Sequence, residues 1–408
     1  MPHAANAFRL FRREVFFCFA PPGVRRNNPL IEPKEAFCNA KENDMQMKRN
    51  WFAGGTGIAA SGAIMAVIAV GLQYFGNPAN MGLCVACFER DIAGALGLHR
   101  AEIVQYLRPE IPALLLGAFV AALCFGEFKP RAGSAPLVRF ILGMCAMIGA
   151  LVFLGCPWRA LLRLAGGDLN ALTGLAGLIV GVGIGTLFFR RGYSLGRNAP
   201  QRTGAGLVMP VLMLGILALL LLFPQVSGEG KSGIIFYSVK GPGSMHAPLL
   251  YSLGGALVVG FLAQRSRFCT MGAFRDLIMF RHFHLLIGVL AFLAAAFALN
   301  LVLGKVNVGF EGQPVAHDAH VWNFLGMLAA GWAFALAGGC PGRQIFMAGE
   351  GDADSGLFVL GMIVAAAFAH NFGLASSPAG IGPYGDMAVY ICLAVLLALS
   401  LIHIRKTA

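Results

Sequence analysis

The chain is built from runs of about twenty apolar residues, the length at which a helix crosses the hydrocarbon core of a bilayer. About ten segments reach or approach that length, beginning near Trp51, Ile111, Leu137, Leu169, Gly206, Ala247, Leu285, Val321, Leu357 and Met387, the second being the shortest. Backbone in lipid must satisfy its hydrogen bonds within its own segment or in a closed barrel, and apolar runs this long read as helices. The expected fold class is therefore an all-α polytopic membrane protein of about ten transmembrane helices. Composition agrees: 57% of residues are hydrophobic and 12% charged, where a soluble domain carries roughly 25% charged residues. Abundant glycine (54) and phenylalanine (32) suit helices packed closely in lipid.

The net charge of +12 is spread through short loops rather than gathered in a patch, so it reads as orientation signals and not as a nucleic-acid surface. Lys48 and Arg49 precede the first span. Lys129 and Arg131 follow the second, Arg190, Arg191, Arg197 and Arg202 the fourth, Arg265, Arg267 and Arg281 the sixth, and Arg405 and Lys406 the tenth. Loops after spans five, seven and nine are poor in Arg and Lys. Both termini are thus expected in the cytoplasm of a bacterial cell, with the chain in the inner membrane. The loop after span one, with Arg90, Arg100 and Arg108, breaks this pattern. Residues 1–47 differ from the rest: they are basic, contain proline, hold Cys18 and Cys38, and have no apolar run long enough for a signal peptide. The expected organisation is this N-terminal extension (1–47), taken as disordered, and two membrane repeats, 48–224 and 225–408.

The repeats are visible in rare residues. "CVACFERD" from Cys84 aligns with "CTMGAFRD" from Cys269, placing Arg90 and Asp91 against Arg275 and Asp276. "GCPWR" from Gly155 aligns with "GCPGR" from Gly339, placing Cys156 and Arg159 against Cys340 and Arg343. Within a half the two cysteines stand 72 and 71 residues apart, and Asp168 and Asp352 each follow the second by twelve. Each half holds five spans. Five is odd, so the second half enters the membrane from the opposite side, an inverted repeat of the kind that places a transporter's substrate site near the midplane. Cys84 and Cys156 then fall on the outer side and Cys269 and Cys340 on the cytoplasmic side.

Gly-Cys-Pro at the end of an apolar run marks a broken or re-entrant helix lining a cavity, because proline cannot continue the helix smoothly and bare backbone is tolerated only where protein or water meets it. A short helix starting there aims free amides and its positive dipole end at an anion. "NMGLCVACFERDIAGAL" reads as a second re-entrant segment, which would remove Arg90 from the orientation count. Adjacent helical positions diverge by about 100°, so Arg90 and Asp91 are expected to find separate partners. Cysteine at the breaks offers a weak donor and a polarizable acceptor that stays mostly neutral at pH 7, suited to a soft sulfur or selenium anion.

Other residues have plainer readings. Cys124, Cys145 and Cys392 are mid-span and unrepeated, and read as small buried hydrophobes. Cys87 makes a Cys-x-x-Cys with Cys84, but the other half has Gly272 there. His246, His317 and His370 read as structural, and Asp168, Glu350 and Asp352 as helix caps. There is no Walker A, HExxH or dinucleotide fingerprint, so neither ATP hydrolysis, a bound metal nor a cofactor is expected.

At these residues the chain resembles the YeeE/YedE family of sulfur-compound membrane transporters, and within it the YedE-type selenium-transporter branch associated with selenium metabolism. "GLCVACFERDIAGALGLHR", "GCPWR", "KGPGSMHAP", "SRFCTMGAFRD", "GGCPGRQ" and "HNFGLASSPAG" carry the resemblance, from about Trp51 to the C-terminus. It implies an hourglass-shaped helical fold with pseudo-symmetric halves, and a path on which cysteine thiols pass a thiosulfate-like anion by successive S–H hydrogen bonds. By motif position that role falls on Cys84, Cys156, Cys269 and Cys340. Thiosulfate-transporting members are described with three key cysteines, whereas this chain has four in register, plus Cys87.

The function expected is thus an importer of a small selenium or sulfur anion, with Cys84, Cys87, Cys156, Cys269, Cys340, Arg90, Arg159, Arg275 and Arg343 forming the translocation site and no catalytic residue. The alternative is a membrane thiol enzyme transferring sulfur, selenium or electrons through Cys84 and Cys87. A third reading is a scaffold for a cytoplasmic selenium- or sulfur-handling protein at the loops around Arg197 and Arg281.

Overall fold

Helices occupy most of the chain in the computed structural model, which describes residues 51–226 and 228–404. The N-terminal extension of residues 1–47 lies outside the described residues. In chain order the first series is α1 (Gly55–Tyr74), α2 (Val85–Ala95), α3 (Glu110–Cys124), α4 (Pro136–Phe153), α5 (Pro157–Ala165), α6 (Asn170–Arg190) and α7 (Thr203–Leu222). The second is α8 (Leu249–Ser266), α9 (Thr270–Phe280), α10 (His284–Val302), α11 (His320–Ala337), α12 (Pro341–Gly349), α13 (Ala353–Asn371) and α14 (Gly385–Ile402). Long and short helices recur in the same order. Strand is confined to two two-residue ladders, β1 (Arg131–Ala132) with β2 (Ala199–Pro200) and β3 (Lys231–Ser232) with β4 (Ile235–Phe236).

The protein is a polytopic all-α membrane protein. Among the described residues nine helical segments are long and apolar enough to cross a bilayer, with Glu110–Cys124 as a shorter apolar helix. That shorter helix is the expected second span, which brings the series to the ten read from the sequence.

The two series interlock. From Phe52 onward the chain packs as one unit. In it α1 packs on α10 and α3 on α8; α4 packs on α13 and α6 on α11. Exchanging the two series maps each of these pairs onto another, as a two-fold relation requires. The equivalent helices α4 and α11 meet at the centre and run antiparallel. Arg139, at the start of α4, donates to the Ala337 carbonyl at the end of α11 (3.0 Å), while Val152 near the end of α4 accepts from His317, which precedes α11 (2.8 Å). Glycine permits the closest approaches: a Cβ on Gly177 or Gly181 of α6 would lie 2.1 Å from the carbonyl oxygen of Phe324 or Leu328 on α11.

The breaks are local in origin. α5 and α12 begin at Pro157 and Pro341, whose missing amide is no loss in the first turn. The preceding helices end in left-handed caps, Leu154 at φ 64° and Gly338 at φ 87°. Glycine adopts that conformation freely. For Leu154 it costs about 1 kcal/mol, and its carbonyl there accepts from Arg159.

Buried ion pairs tie the ends of the short helices. Arg163 at the end of α5 donates to Asp168 (2.6 Å), both side chains being fully buried. Asp352 caps α13 through the amide of Ser355 (3.2 Å), as expected. The other two expected caps differ: Asp168 stands just before the N-cap Leu169 and takes the amide of Asn170 (3.0 Å), and the Glu350 carboxylate is taken by Arg267 and Arg343. Asp352 further pairs with Arg131 of the first half (2.8 Å).

One expectation needs correcting. Arg90 and Asp91 do not part to find separate partners: Arg90 donates to Asp91 Oδ1 (2.7 Å), and Arg275 pairs with Asp276 in the same way (2.8 Å). Their Cα–Cβ directions do diverge, but the arginine stem is long enough to fold back. Asp91 takes a second arginine, Arg108 (2.8 Å), which also donates to the carbonyls of Pro242 and Met245. Arg90 and Arg108 are thus buried and paired rather than solvated loop charges, which accounts for two of the three residues that broke the orientation pattern.

Candidate functional site

Four short helices, two from each half, begin at a repeated cysteine. Cys84 is the N-cap of α2 and its Sγ accepts the amide of Cys87 (3.4 Å). Cys269 is the N-cap of α9 and accepts the amide of Gly272 (3.2 Å). Cys156 and Cys340 are the N-cap residues of α5 and α12. Sulfur stands here where Ser, Asp or Asn would ordinarily cap.

Folding brings these caps together in pairs. Cys269 Sγ lies 3.7 Å from Cys340 Sγ. Cys84 faces Cys156, with Cys87 beside Cys84. The backbone amides of Ala86 and Arg159 lie against the Cys156 thiol, and those of Thr270 and Arg343 against Cys340, in geometry short of a full capping bond. Each thiol pair therefore sits where two helix N-termini converge. Partial positive charge from four helix ends, arranged two and two, surrounds sulfur atoms that are 0–5% exposed.

An arginine borders each pair, but the two are held differently. Arg159 is fully buried; its Nη1 donates to Cys87 Sγ (3.6 Å) and to the Leu154 carbonyl, and its Nη2 to the Val315 carbonyl (3.0 Å). Arg343 lends its charge to Cys269 while its Nη1 donates to Glu350 (3.1 Å). Glu350 also takes Arg267 (2.6 Å). So Cys84, Cys87, Cys156 and Arg159 form one group and Cys269, Cys340 and Arg343 the other. Arg90 and Arg275 are hydrogen-bonded to Asp91 and Asp276, and the Arg90 charge still acts on Cys87.

What the sequence did not reveal is an aromatic contact that links the two groups. The Trp158 ring, two residues beyond Cys156, meets Phe268 (ring centroids 5.8 Å apart) and Phe346 (5.9 Å). Phe268 immediately precedes Cys269, and Phe346 belongs to α12. The only sequence signal was the mismatch of Trp158 with Gly342 in otherwise matching motifs. Cys145 and Cys392, expected as isolated hydrophobes, face each other across α4 and α14, while Cys124 is exposed.

A cavity of about 310 Å³ opens at the end of the bundle formed by the α1–α2 and α10–α11 connections. Amide side chains dominate its polar lining, namely Gln73, Asn77, Asn80, Asn307 and Gln313, with Lys305 as its cation. Three imidazoles stand in the connections at this end, His99 and His317 buried and His246 half-buried. His317 is held below the ordinary imidazole range by burial, with the Arg163 charge adding to it; His246 is lowered by burial and Arg108; His99 is lowered chiefly by burial. His246 stacks on Tyr106 at 4.4 Å, and His99 lies 4.6 Å from His370, so the histidines serve as packing groups.

The second half of the chain matches a known family model. Residues 265–404, which hold Cys269 and Cys340, match the family model described as sulphur transport. The chain is also 29% identical over 111 residues to the thiosulfate transporter TsuA of Escherichia coli (strain K12), a match covering 26% of this chain and 30% of that protein. The chain thus matches about a third of that relative's length.

Proposed function

We propose that the protein carries a small sulfur or selenium anion, such as thiosulfate or a selenium species of like size and charge, inward across a bacterial inner membrane. The observation that carries this reading is the pair of buried thiol groups, each placed where two helix N-termini converge and each bordered by an arginine. At the Arg159 pair the side chains and helix ends so presented are donors or positive dipole ends (S–H, backbone N–H and guanidinium), and at the other pair Glu350 shares the Arg343 guanidinium. An anion with a soft terminal chalcogen fits both parts of that set. The sulphur-transport match over residues 265–404 supports the same class of cargo.

In this reading the anion enters by the amide-lined cavity, is received by Cys84, Cys87, Cys156 and Arg159, crosses to Cys269, Cys340 and Arg343, and leaves beside Glu350. Successive S–H donors replace hydration lost on entry, so each transfer exchanges one hydrogen bond for another. The halves are inverted across the membrane, in keeping with the antiparallel α4 and α11, with both termini in the cytoplasm. The arginine-rich turns near Arg131, Arg197 and Arg281 lie on that side and are open to a cytoplasmic sulfur- or selenium-handling protein. Residues 48–224 and 225–408 are the repeats.

Uptake of radiolabelled thiosulfate and selenite into proteoliposomes tests the reading directly. Saturable uptake of one of them, lost in Cys156→Ala and Cys340→Ala while the protein still inserts, is the expected result. Full uptake by both variants would sink the cysteine relay.

The Arg159 contact to Cys87 favours a second reading, since a guanidinium at 3.6 Å stabilises a thiolate. A membrane thiol enzyme working through Cys84 and Cys87 would give a Cys84–Cys87 disulfide or a persulfide on thiol trapping, with turnover but no net passage of anion. Mass spectrometry of the trapped protein separates the two readings.

A further inference from the structure

The two Gly-Cys-Pro motifs differ at one place: Trp158 in the first stands where the second has Gly342. In the fold these two residues meet. A Cβ on Gly342 would lie 2.9 Å from Trp158 Cζ2 and 3.2 Å from Cε2, so the glycine makes room for the edge of the indole that carries Nε1. The ring is 1% exposed and is packed edge-on to Phe268 (73°) and tilted on Phe346 (34°). It projects from the helix that starts at Cys156 onto the helix that starts at Cys340. The largest side chain in either motif therefore stands where the two cysteine-led helices meet, with its ring against residues that adjoin Cys269 and Cys340.

The indole also has an unmet need. Trp158 Nε1 is buried and has no hydrogen-bond partner among the described residues. Buried tryptophan N–H groups usually find an acceptor, because leaving a donor unsatisfied is costly. Trp158 has hydrophobic neighbours on its faces, and its N–H edge lies at the first turn of α12. An acceptor arriving there would come between the two thiol groups.

We infer that Trp158 is the gate between the outer and inner thiol groups, and that its indole N–H is the donor that holds the anion in transit between them. This rests on the transport reading above. The ring closes the route at rest; when it turns, the anion takes the N–H and passes from Cys156 toward Cys340. One aromatic and one glycine at equivalent positions let a two-fold framework carry a single gate. Two tryptophans would collide, and two glycines would leave a hole.

Two readouts test it, one of which needs no transport. In right-side-out vesicles a small membrane-impermeant methanethiosulfonate is expected to leave Cys340 protected in the wild type. In Trp158→Ala, or Trp158→Leu if the alanine variant inserts poorly, Cys340 modification from outside is expected to accelerate at least about tenfold. Protection of Cys340 in an inserted variant would overturn the gate, and this result stands whether or not any anion is carried. Trp158→Phe keeps the ring and loses the N–H. Its Cys340 stays protected, and its thiosulfate uptake (kcat/KM) is expected to fall about tenfold, the effect of losing roughly one charge-assisted hydrogen bond. Undiminished uptake by Trp158→Phe would overturn the transit donor while leaving the gate to be judged by labelling. Absence of wild-type uptake with Cys340 unmasked in Trp158→Ala would fault the transport reading and uphold the gate.

Discussion

Arg163 and Asp168 offer a quantitative test of how the Cys156 helix is held. Arg163 closes α5, its guanidinium buried on the Phe153 ring (4.4 Å), donating to the Phe153 carbonyl (2.9 Å) and to Asp168 (2.6 Å). Asp168 in turn receives the backbone and side-chain amides of Asn170 (3.0 and 2.9 Å). Arg163→Met removes one charge and leaves the other buried with only amide partners. Breaking a buried pair in this way costs roughly 3–5 kcal/mol, whereas replacing both partners with apolar or neutral groups of similar size is often close to neutral. The second half supplies a precedent, because Met347 occupies the Arg163 position and Asp352 is neutralised by Arg131 instead. Arg163→Met and Asp168→Asn are each expected to lose about 3 kcal/mol, and the double variant only about 1–2 kcal/mol, giving a coupling energy of several kcal/mol. Unfolding in mixed micelles with increasing dodecyl sulfate would measure all four corners of the cycle. If the double variant lost the sum of the two singles, the pair would not be acting as a neutralised unit, and the account of α5 anchoring would fail.

Three further outcomes follow from the geometry. Gly181→Ala is expected to cost about 1–3 kcal/mol by forcing α6 from α11, where its Cβ would lie 2.1 Å from Leu328 O, while Gly183→Ala on the same helix, with nothing nearer than 4.0 Å, is neutral or slightly stabilising; equal melting temperatures for the two variants would refute the close approach. His317, His246 and His99 have folded-state pKa values below the ordinary 6.5, so the unfolded chain takes up their protons first. Their contribution is intact above pH 6.5 and is lost as the pH falls toward the folded-state values, by at most about 1.4 kcal/mol per pH unit for each group. Melting followed from pH 8 to pH 5 should show this decline, with a shallower slope in His317→Gln; an unchanged slope would remove His317 from it. In the proposed transport reading, Lys305→Gln at the amide-lined cavity should raise KM for thiosulfate at low ionic strength, with the difference shrinking as salt is added. A salt-independent change would mean that the lysine acts by contact rather than by its field.

The parts of this structure that were legible in the sequence are those encoded in rare residues. Cys, Pro and Gly recur at matched spacing, and that was enough to pair Cys84 with Cys156 and Cys269 with Cys340, and to place short helices after Pro157 and Pro341. Long apolar runs located the spans, because length and hydropathy suffice for that. Side-chain reach was not legible. The turn angle between Arg90 and Asp91 argued for separate partners, but it fixes only the start of each side chain, and a three-carbon stem brings the guanidinium back. The partners of Arg159 were hidden for a related reason: they are carbonyls freed by the left-handed turn at Leu154 and by the connection holding Val315, and a free carbonyl has no signature in a residue code. The meeting of Cys145 with Cys392 depends on how α4 packs against α14, which no local pattern specifies.

The departures from symmetry are therefore more informative than the symmetry itself. Repetition explains why there are two thiol pairs at helix ends, but by itself it would make the two faces of the protein alike. Cys87 against Gly272, Arg163 against Met347 and Trp158 against Gly342 each make them unlike. The first half gains a third thiol within reach of Arg159 and an anchor of its own for α5. The second leaves Arg343 and Glu350 in a network with Arg267 that is partly open to solvent, Arg267 being 41% exposed. In the transport reading proposed above, an anion on the Arg159 side meets a guanidinium already held by two carbonyls and a thiol. On the Arg343 side it competes with a carboxylate for the same guanidinium, which weakens holding there. In the same reading, the carboxylate competing for Arg343 makes that side the easier exit, while net flux still requires a gradient or a coupled ion.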